Sequence, residues 1–317
     1  MHYGIDMANY DINNSLYTFN NSGEGVIYWS ENGKPKDTLN VKEPLTQSGF
    51  DYNRTTKFLL SYNHNLFLFN QDNTCFDTLL QTTGVHVINN SDVFITFQLD
   101  SSLNLYQEKT QQDSLWYERT RQIKIPGTSF TSAESSPDGK YLLTTHDDSV
   151  LRLWLVDSII ETKNPQPLFE RKIEAIISLV KFAPNGTLFA SASDDNIIRL
   201  WNTNGDLLAQ MVGHADAIED FNFSPDCKWL VSGSFDKTVR LWDMKGNELQ
   251  MYPGHNHKVK KTKFSPDGKY ILSCSNDHTA RLMPVSVEQV LDKINKEKVR
   301  GEVWQMGEKE REVYGIP

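Results

Sequence analysis

The stretch Leu230–Asp243 reads LVSGSFDKTVRLWD and predicts a β-hairpin. In Leu230–Ser234 the side chains alternate with a period of two, which places neighbours on opposite faces of a strand. Thr238–Trp242 is rich in β-branched and aromatic residues, which favour strands, and Phe235–Lys237 is the tight turn between the two runs. The preceding Phe223–Leu230 adds a Pro-Asp turn and another strand, so this part of the chain predicts three antiparallel strands.

Four positions in this region recur along the second half of the chain, each with spacings of 47, 41 and 41 residues. They are the turn prolines Pro137, Pro184, Pro225 and Pro266, the hydroxyl residues Thr144, Ser191, Ser232 and Ser273, the turn acids Asp148, Asp195, Asp236 and Asp277, and the strand markers Trp154, Trp201, Trp242 and Met283. A longer loop through Asn164–Pro167 accounts for the larger spacing. A period of about 40–45 residues with Gly-His and Trp-Asp is that of a propeller blade.

Through Gly213-His214, Trp242-Asp243 and Gly254-His255 the chain resembles the WD40-repeat family, and the motifs cover roughly residues 128–286. The resemblance implies an all-β, seven-bladed WD40-type β-propeller with a C-terminal helical tail. At about 42 residues per blade, seven blades account for most of the chain. The predicted propeller spans residues 1–286, with blades at about 1–45, 46–82, 83–127, 128–175, 176–217, 218–258 and 259–286, and residues 287–317 form the C-terminal helix and tail.

The first 127 residues lack these signatures but contain pairs of short strand-like runs around polar loops. The pairs are Leu16–Phe19 with Val26–Trp29, Lys57–Tyr62 with Leu66–Phe69, and Val93–Leu99 with Leu103–Tyr106. Each pair predicts a hairpin. We interpret the three hairpins as degenerate blades, and the alternative is a separate β-domain.

The repeat breaks down at Met283-Pro284, where Trp-Asp is expected. Ser286 and Gln289 form a capping-box pattern, and apolar residues follow at helical spacing up to a stop at Gly301, which predicts a helix that packs on its own propeller or on a partner. A propeller avoids exposed edges, so a terminal strand is expected to complete the last blade. Residues 2–12 and Gly301–Met306 are both candidates, and residues 2–12 are alternatively the innermost strand of blade 1.

The resemblance implies a hydrogen-bonded set of His, Ser or Thr, Asp and Trp inside each blade. Its members here are His214, Ser232, Asp236 and Trp242 in blade 6, Ser191, Asp195 and Trp201 in blade 5, Thr144, Asp148 and Trp154 in blade 4, and His255, Ser273 and Asp277 in blade 7. We expect a structural role, because Ser232 lies in mid-strand and not on an exposed elbow. No catalytic residue, metal site or cofactor is therefore predicted, and the nearby histidines, including His257, lack a recognised metal-ligand spacing.

Composition narrows the class of partner. The net charge of −9 disfavours nucleic acid, which requires a basic surface. Three cysteines without CxxC spacing indicate free thiols in a reducing cytosol, and no apolar run approaches the ~20 residues of a membrane span, so a cytoplasmic protein without membrane contact is expected. Whether Met1 is the native start stays open.

The family resemblance places protein partners on the face that bears the Gly-His loops. The residues before the turn acids point onto that face, and they are Asp147, Asp194, Phe235 and Asn276. Phe235 is either a partner anchor or an ordinary exposed apolar residue. Lys258 and Lys260 open a basic run with Lys261 and Lys263, which is either a solvated surface or a docking site for an acidic partner.

These patterns favour a non-catalytic platform for protein–protein interaction. The alternative is the sensor or regulatory domain of a larger bacterial signalling or defence protein, with a STAND-type NTPase or caspase-like effector domain in cis. The C-terminal segment from Lys293 to Pro317 resembles the ends of such chains. A propeller enzyme is disfavoured, because no acid, base or nucleophile clusters outside the repeat frame.

Overall fold

The computed structural model describes residues 130–285 continuously. Before residue 130 it describes the strands given below together with Ile88. The chain forms two compact units, one of Met1–Phe130 with Val156–Gln166 and the other of Thr131–Leu155 with Pro167–Pro317. The predicted C-terminal helix and tail, residues 287–317, lie outside the described residues.

Three four-stranded antiparallel sheets precede residue 130. Sheet 1 contains β1 (Met7–Tyr10), β2 (Leu16–Phe19), β3 (Val26–Trp29) and β4 (Pro35–Leu39). Sheet 2 contains β5 (Leu45–Tyr52), β6 (Lys57–Ser61), β7 (Leu66–Phe69) and β8 (Cys75–Leu79). Sheet 3 contains β9 (Thr82–Val87), β10 (Val93–Gln98), β11 (Ser102–Gln111) and β12 (Ser114–Lys124).

Four further sheets follow, and in each the strands lie in chain order. Sheet 4 contains β13 (Phe130–Ser135), β14 (Tyr141–His146), β15 (Val150–Leu155) and β16 (Phe169–Lys172), with α1 (Val156–Glu161) between the last two. Sheet 5 contains β17 (Ile177–Phe182), β18 (Leu188–Ser193), β19 (Ile197–Asn202) and β20 (Leu207–Val212). Sheet 6 contains β21 (Ile218–Phe223), β22 (Trp229–Ser234), β23 (Val239–Asp243) and β24 (Glu248–Tyr252), and sheet 7 contains β25 (Val259–Phe264), β26 (Tyr270–Ser275) and β27 (Ala280–Pro284).

The three hairpins predicted in the first part of the chain are confirmed, because β2 pairs with β3, β6 with β7 and β10 with β11. Strand β1 pairs with β2, so its residues belong to sheet 1. Of the two roles considered for residues 2–12, the structure shows the first strand of the first sheet. Sheet 7 has three strands among the described residues, and Gly301–Met306 lies outside them.

A short helix, α1, lies in the connection between β15 and β16, for which the sequence predicts only a longer loop. Val156 and Ile159 of α1 are buried at i, i+3 spacing, and Asp157 lies in the first turn, where the helix dipole favours an acid. Arg121 of β12 donates to the carbonyl of Ile159 at 3.0 Å and to that of Thr162. The extra residues behind the spacing of 47 therefore hold a helix whose C-terminal carbonyls are satisfied by an arginine.

In the second unit the sheets pack face to face through apolar side chains. Sheet 4 meets sheet 5 through Leu143, Leu151, Leu153, Ile177, Val180 and Phe182. Sheet 5 meets sheet 6 through Ala190, Ile198, Leu200, Ile218, Phe221 and Phe223, and sheet 6 meets sheet 7 through Val231, Val239, Leu241, Val259, Phe264 and Ile271. The middle strands of sheets 4 to 6 are largely buried on both faces, which explains the near-continuous apolar runs of β15, β19 and β23, whereas β26 of sheet 7 alternates between buried and exposed residues.

The turn between the first two strands of sheets 4 to 7 needs one residue with positive φ. Glycine fills it in sheets 4, 5 and 7 as Gly139, Gly186 and Gly268, and Cys227 fills it in sheet 6 with φ of 58°. A side chain in this left-handed region is disfavoured, so sheet 6 carries local backbone strain that its neighbours lack.

Candidate functional site

In sheet 6 the predicted set of four residues forms a continuous chain of hydrogen bonds. The indole Nε1–H of Trp242 donates to Ser232 Oγ at 2.8 Å, and Ser232 Oγ lies 2.7 Å from His214 Nε2. His214 Nδ1 lies 2.7 Å from Asp236 Oδ2. Because Asp236 only accepts when ionised, the network is satisfied with the His214 proton on Nδ1 and the Ser232 hydroxyl donating to Nε2. The side chain of His214 is fully buried and that of Asp236 is 7% exposed.

Asp236 gathers several donors besides the histidine. The backbone amides of Ala215 and Thr238 donate to its carboxylate at 3.1 and 2.9 Å, and the Thr238 hydroxyl donates at 2.7 Å. Burial on its own raises the pKa of Asp236, but the hydrogen bonds from His214 and Thr238 outweigh it and hold that pKa well below its ordinary value. Asp236 therefore ties the Gly-His loop to the hairpin turn as an ionised carboxylate.

Sheet 7 repeats this arrangement without the indole. His255 Nε2 lies 2.8 Å from Ser273 Oγ, and His255 Nδ1 lies 2.9 Å from Asp277 Oδ2. Burial raises the pKa of Asp277, and hydrogen bonds from Thr279 and from the loop outweigh it, so the pKa again lies well below its ordinary value. Met283 takes the place of tryptophan, is buried, and has no N–H to offer Ser273.

Sheets 4 and 5 keep the tryptophan and hydroxyl but hold the turn acid differently. Trp154 donates to Thr144 at 2.9 Å and Trp201 to Ser191 at 3.0 Å. In sheet 5 the position 41 residues before His214 is Ile173, which is buried and has no polar atom in its side chain. In sheet 4 the corresponding position lies outside the described residues.

An arginine four residues after the turn acid replaces histidine in these two sheets. Arg199 donates to Asp195 at 2.6 and 3.2 Å, and Arg152 donates to Asp148 at 2.7 Å. Burial raises the pKa of Asp148, but the bond from Arg152 prevails and lowers it. The sequence reasoning missed these arginines, although their spacing marks them: Arg152, Arg199, Arg240 and Arg281 recur with the same 47, 41 and 41 residues.

The residues before the turn acids lie beside the loops that lead into the first strand of each sheet. The backbone amides make the link, from Asp194 to the carbonyl of Ile176 at 3.0 Å, from Phe235 to Ala217 at 2.9 Å and from Asn276 to Lys258 at 3.1 Å. Asp147, Asp194 and Asn276 are exposed. We call this end of sheets 4 to 7, with the Gly-His loops and these turn residues, the loop face.

Phe235 is less exposed than the other turn residues. It is half-buried, and the Nζ of Lys258 lies 4.2 Å from the centre of its ring. Lys260 forms an ion pair with Glu219 of the neighbouring sheet. Two residues singled out separately in the sequence, Phe235 and Lys258, are therefore one cation–π pair across the boundary between sheets 6 and 7.

Comparison with known proteins identifies the repeat. Residues 120–154, 172–202, 205–243 and 246–282 match the family model "WD domain, G-beta repeat". The chain belongs to the WD40-repeat family. A chain in the solved structure "Crystal Structure of Mitotic Checkpoint Complex" is similar, with a TM-score of 0.68 and 15% sequence identity, over 89% of this chain and 87% of that chain. No curated protein sequence matches.

The predicted fold class, an all-β, seven-bladed WD40-type β-propeller, is confirmed by the family match and by this structural likeness. As many as 1702 chains of solved structures match, so the WD40 fold by itself does not select a partner. WD40 propellers generally mediate protein–protein interaction and are generally non-catalytic scaffolds.

In sheet 6 of this WD40 protein, hydrogen bonds join a serine, a histidine and an aspartate in the same order as in a Ser-His-Asp catalytic triad. The surroundings of the serine explain why this order does not indicate catalysis. Ser232 is fully buried and its oxygen already accepts from Trp242. A nucleophile must reach a substrate carbonyl beside an oxyanion site, which a serine in the middle of β22 does not do.

The histidines of these networks are not available as metal ligands. Both ring nitrogens of His214 and of His255 are engaged with a serine and an aspartate, so neither offers a lone pair to a metal. Among the residues that the structure describes, no three His, Cys, Asp or Glu side chains converge to hold a metal ion. In that same part of the chain, no helix has the length and apolar character needed to cross a membrane.

Proposed function

We propose that this chain is a non-catalytic, cytoplasmic WD40 platform that binds a protein partner on the loop face, with blades at the boundaries predicted from the sequence. The observation that carries the proposal is the division, at the turns, between acids held by hydrogen bonds and exposed residues that directly precede them. Asp236 and Asp277 point into sheets 6 and 7 and are held there, whereas Asp194 and Asn276, which directly precede turn acids, stand exposed.

This division favours binding, because a satisfied polar network fixes the backbone of the turn beside it. An exposed side chain on a fixed turn loses little conformational freedom when a partner docks. His214 and Asp236 hold the Gly-His loop against the turn of sheet 6, and His255 and Asp277 do the same in sheet 7. The loop face is thus a set of rigid positions supplied by consecutive sheets.

A matched pair of variants tests the proposal. Asn276 lies on the loop face, and Asn204 is equally an exposed asparagine but lies at the other end of a sheet, in the turn between β19 and β20. A strand of six residues separates the two ends by about 20 Å. Asn276→Glu and Asn204→Glu therefore add the same charge and bulk at opposite ends.

Tagged wild type and both variants would be used to capture proteins from the native host, and each captured protein would be purified and titrated. We expect a protein that binds wild type and Asn204→Glu alike and binds Asn276→Glu at least about tenfold more weakly. Equal weakening by the two substitutions, or the lack of any saturable protein binding, would contradict the proposal.

A further inference from the structure

We infer that the partner presents a carboxylate-rich peptide segment to the boundary between sheets 6 and 7. This inference rests on the proposed function and names the chemistry of the partner at one part of the loop face. The relevant residues are Phe235, Lys258, Lys260 and Lys261, which we call the basic seam.

The first strands of sheets 5, 6 and 7 lie side by side at the basic seam, and a buried carboxylate joins them. Asp220 of β21 is 1% exposed, accepts the Thr262 amide of β25 at 3.0 Å, and accepts Lys181 Nζ of β17 at 2.8 Å. Lys261 Nζ lies 3.9 Å from the same carboxylate oxygen, and its side chain is 52% exposed. Asp220 is thus shared between two ammonium groups, and the more distant one, Lys261, faces solvent.

Two further lysines have no carboxylate partner. Lys260 pairs with Glu219, but Lys258 and the exposed Lys263 beyond the basic seam have no carboxylate within 4.0 Å among the described residues. The first strands of sheets 6 and 7, with Lys258, carry four lysines against Glu219 and Asp220. These strands therefore carry an excess of positive charge on a chain whose net charge is −9.

The cation–π contact holds the Lys258 ammonium in a defined position before a partner binds. Its backbone carbonyl accepts the Asn276 amide at 3.1 Å, and its ammonium lies 4.2 Å from the centre of the Phe235 ring. Holding an ammonium over a half-buried ring reduces the side-chain entropy lost when a carboxylate binds. Phe235 is accordingly a positioning residue for Lys258 and not itself the anchor.

The charges at the basic seam are separate point charges, and this favours a partner whose negative charges are spread along a peptide. The neighbouring arginines are engaged, Arg240 with Glu248 and Arg281 with the carbonyl of Gly254. Lysine ammonium groups lack the rigid fork by which arginine binds one carboxylate or one phosphate through two hydrogen bonds. Several dispersed ammoniums suit a run of Asp and Glu, and binding should weaken steeply with salt.

The test uses the full chain and a fluorescent peptide of alternating Glu and Ser, followed by fluorescence anisotropy. The same peptide with Gln in place of Glu is the charge control, and a peptide with phosphoserine and Gln tests phosphate as the source of negative charge. Lys258→Glu is compared with Lys245→Glu, an exposed lysine in the turn between β23 and β24, away from the basic seam.

We expect the Glu peptide to bind, the Gln peptide to bind at least about tenfold more weakly, and the phosphoserine peptide to bind no more tightly than the Glu peptide. Lys258→Glu should weaken binding by about tenfold and Phe235→Leu by about threefold, whereas Lys245→Glu has no effect. Equal binding of the Glu and Gln peptides, preference for the phosphoserine peptide, or equal effects of Lys258→Glu and Lys245→Glu would overturn the inference. If Asn276→Glu still weakens binding of a protein partner at least about tenfold in that case, the platform stands and only the carboxylate assignment falls.

Discussion

Sheets 5 and 6 have the same strands, the same turn and the same buried tryptophan, yet they secure the turn acid by different chemistry. In sheet 6 the acid is held by His214 from the preceding loop, and in sheet 5 Asp195 is held by Arg199 from the next strand. Ile173 occupies the position in sheet 5 that His214 occupies in sheet 6. The repeat therefore requires a partner for the acid, and it does not require a particular residue type.

The two solutions differ in burial and in what they connect. The side chains of His214 and Asp236 are 0% and 7% exposed, whereas those of Arg199 and Asp195 are 13% and 29% exposed. The histidine ties a loop to a hairpin, while the arginine ties a hairpin to itself across four residues. The buried network should contribute more to stability, because its members have no water to replace a lost partner.

The tryptophans should give the largest effect and should behave alike in both sheets. Trp242 and Trp201 are 1% and 5% exposed, and each donates to a buried serine. We expect Trp242→Ala and Trp201→Ala each to lower the free energy of unfolding by about 3–5 kcal/mol, measured by urea denaturation. Trp→Phe at each site is the control that keeps most of the volume. A decrease in unfolding free energy of less than about 1 kcal/mol at either position would show that the buried tryptophan does not stabilise the two sheets alike.

Double-mutant cycles should separate the two ways of holding the acid. For His214→Ala with Asp236→Ala we expect a coupling energy of about 1–3 kcal/mol, because the pair is buried and hydrogen-bonded. For Arg199→Ala with Asp195→Ala we expect about 0–1 kcal/mol, because water reaches the pair. Equal coupling energies in chemical denaturation would remove the distinction between the sheets.

Acid should weaken the His-held turns. The pKa of Asp236 and that of Asp277 are lower in the folded protein than their ordinary value, so the folded state favours the ionised form. Their contribution is present above the unfolded pKa of about 4 and is lost as the pH falls below it towards the folded pKa. The difference in unfolding free energy between wild type and Asp236→Asn should therefore shrink from about pH 6 to about pH 3. A difference that is constant over this range would show that folding does not lower the pKa of Asp236.

The smallest effect concerns the turn before the second strand, where Gly186 in sheet 5 and Cys227 in sheet 6 have φ of 68° and 58°. Glycine adopts this conformation without strain, so Cys227→Gly should raise the unfolding free energy by up to about 1 kcal/mol. Gly186→Ala is the converse, and should destabilise by a similar amount even though the added Cβ meets only Pro137 Cδ at 3.6 Å. Destabilisation by Cys227→Gly would indicate that the packing of the Cys227 side chain outweighs its backbone strain.

The sequence was sufficient for the repeat and for the residues of the network, because both depend on local spacing. It predicted the hairpin ending in Trp242, and the structure joins His214, Ser232, Asp236 and Trp242 by hydrogen bonds. The family match covers the four clear repeats, whereas the earlier hairpins were recognised by alternation and turn residues alone.

Other features depend on information that spacing does not carry. Helix α1 is six residues long, which is too short for a helical period to stand out. The arginine partners were visible as a recurring position, but a charged residue on a strand does not reveal which carboxylate it meets. The contact of Phe235 with Lys258 joins two sheets and depends on their packing. The sequence alone therefore leaves Phe235 as either a partner anchor or an ordinary exposed apolar residue, whereas in the fold its ring is half-buried beside an ammonium.

If the Ser-His-Asp network is structural and the loop face binds the partner, then stability and binding should separate in one variant. The most direct measurement is partner affinity of Ser232→Ala, taken at a temperature at which circular dichroism shows the variant to be folded. Ser232 is fully buried, so we expect a lower melting temperature and an affinity within about twofold of wild type. Loss of binding by folded Ser232→Ala, together with unchanged binding by Asn276→Glu, would contradict both assignments.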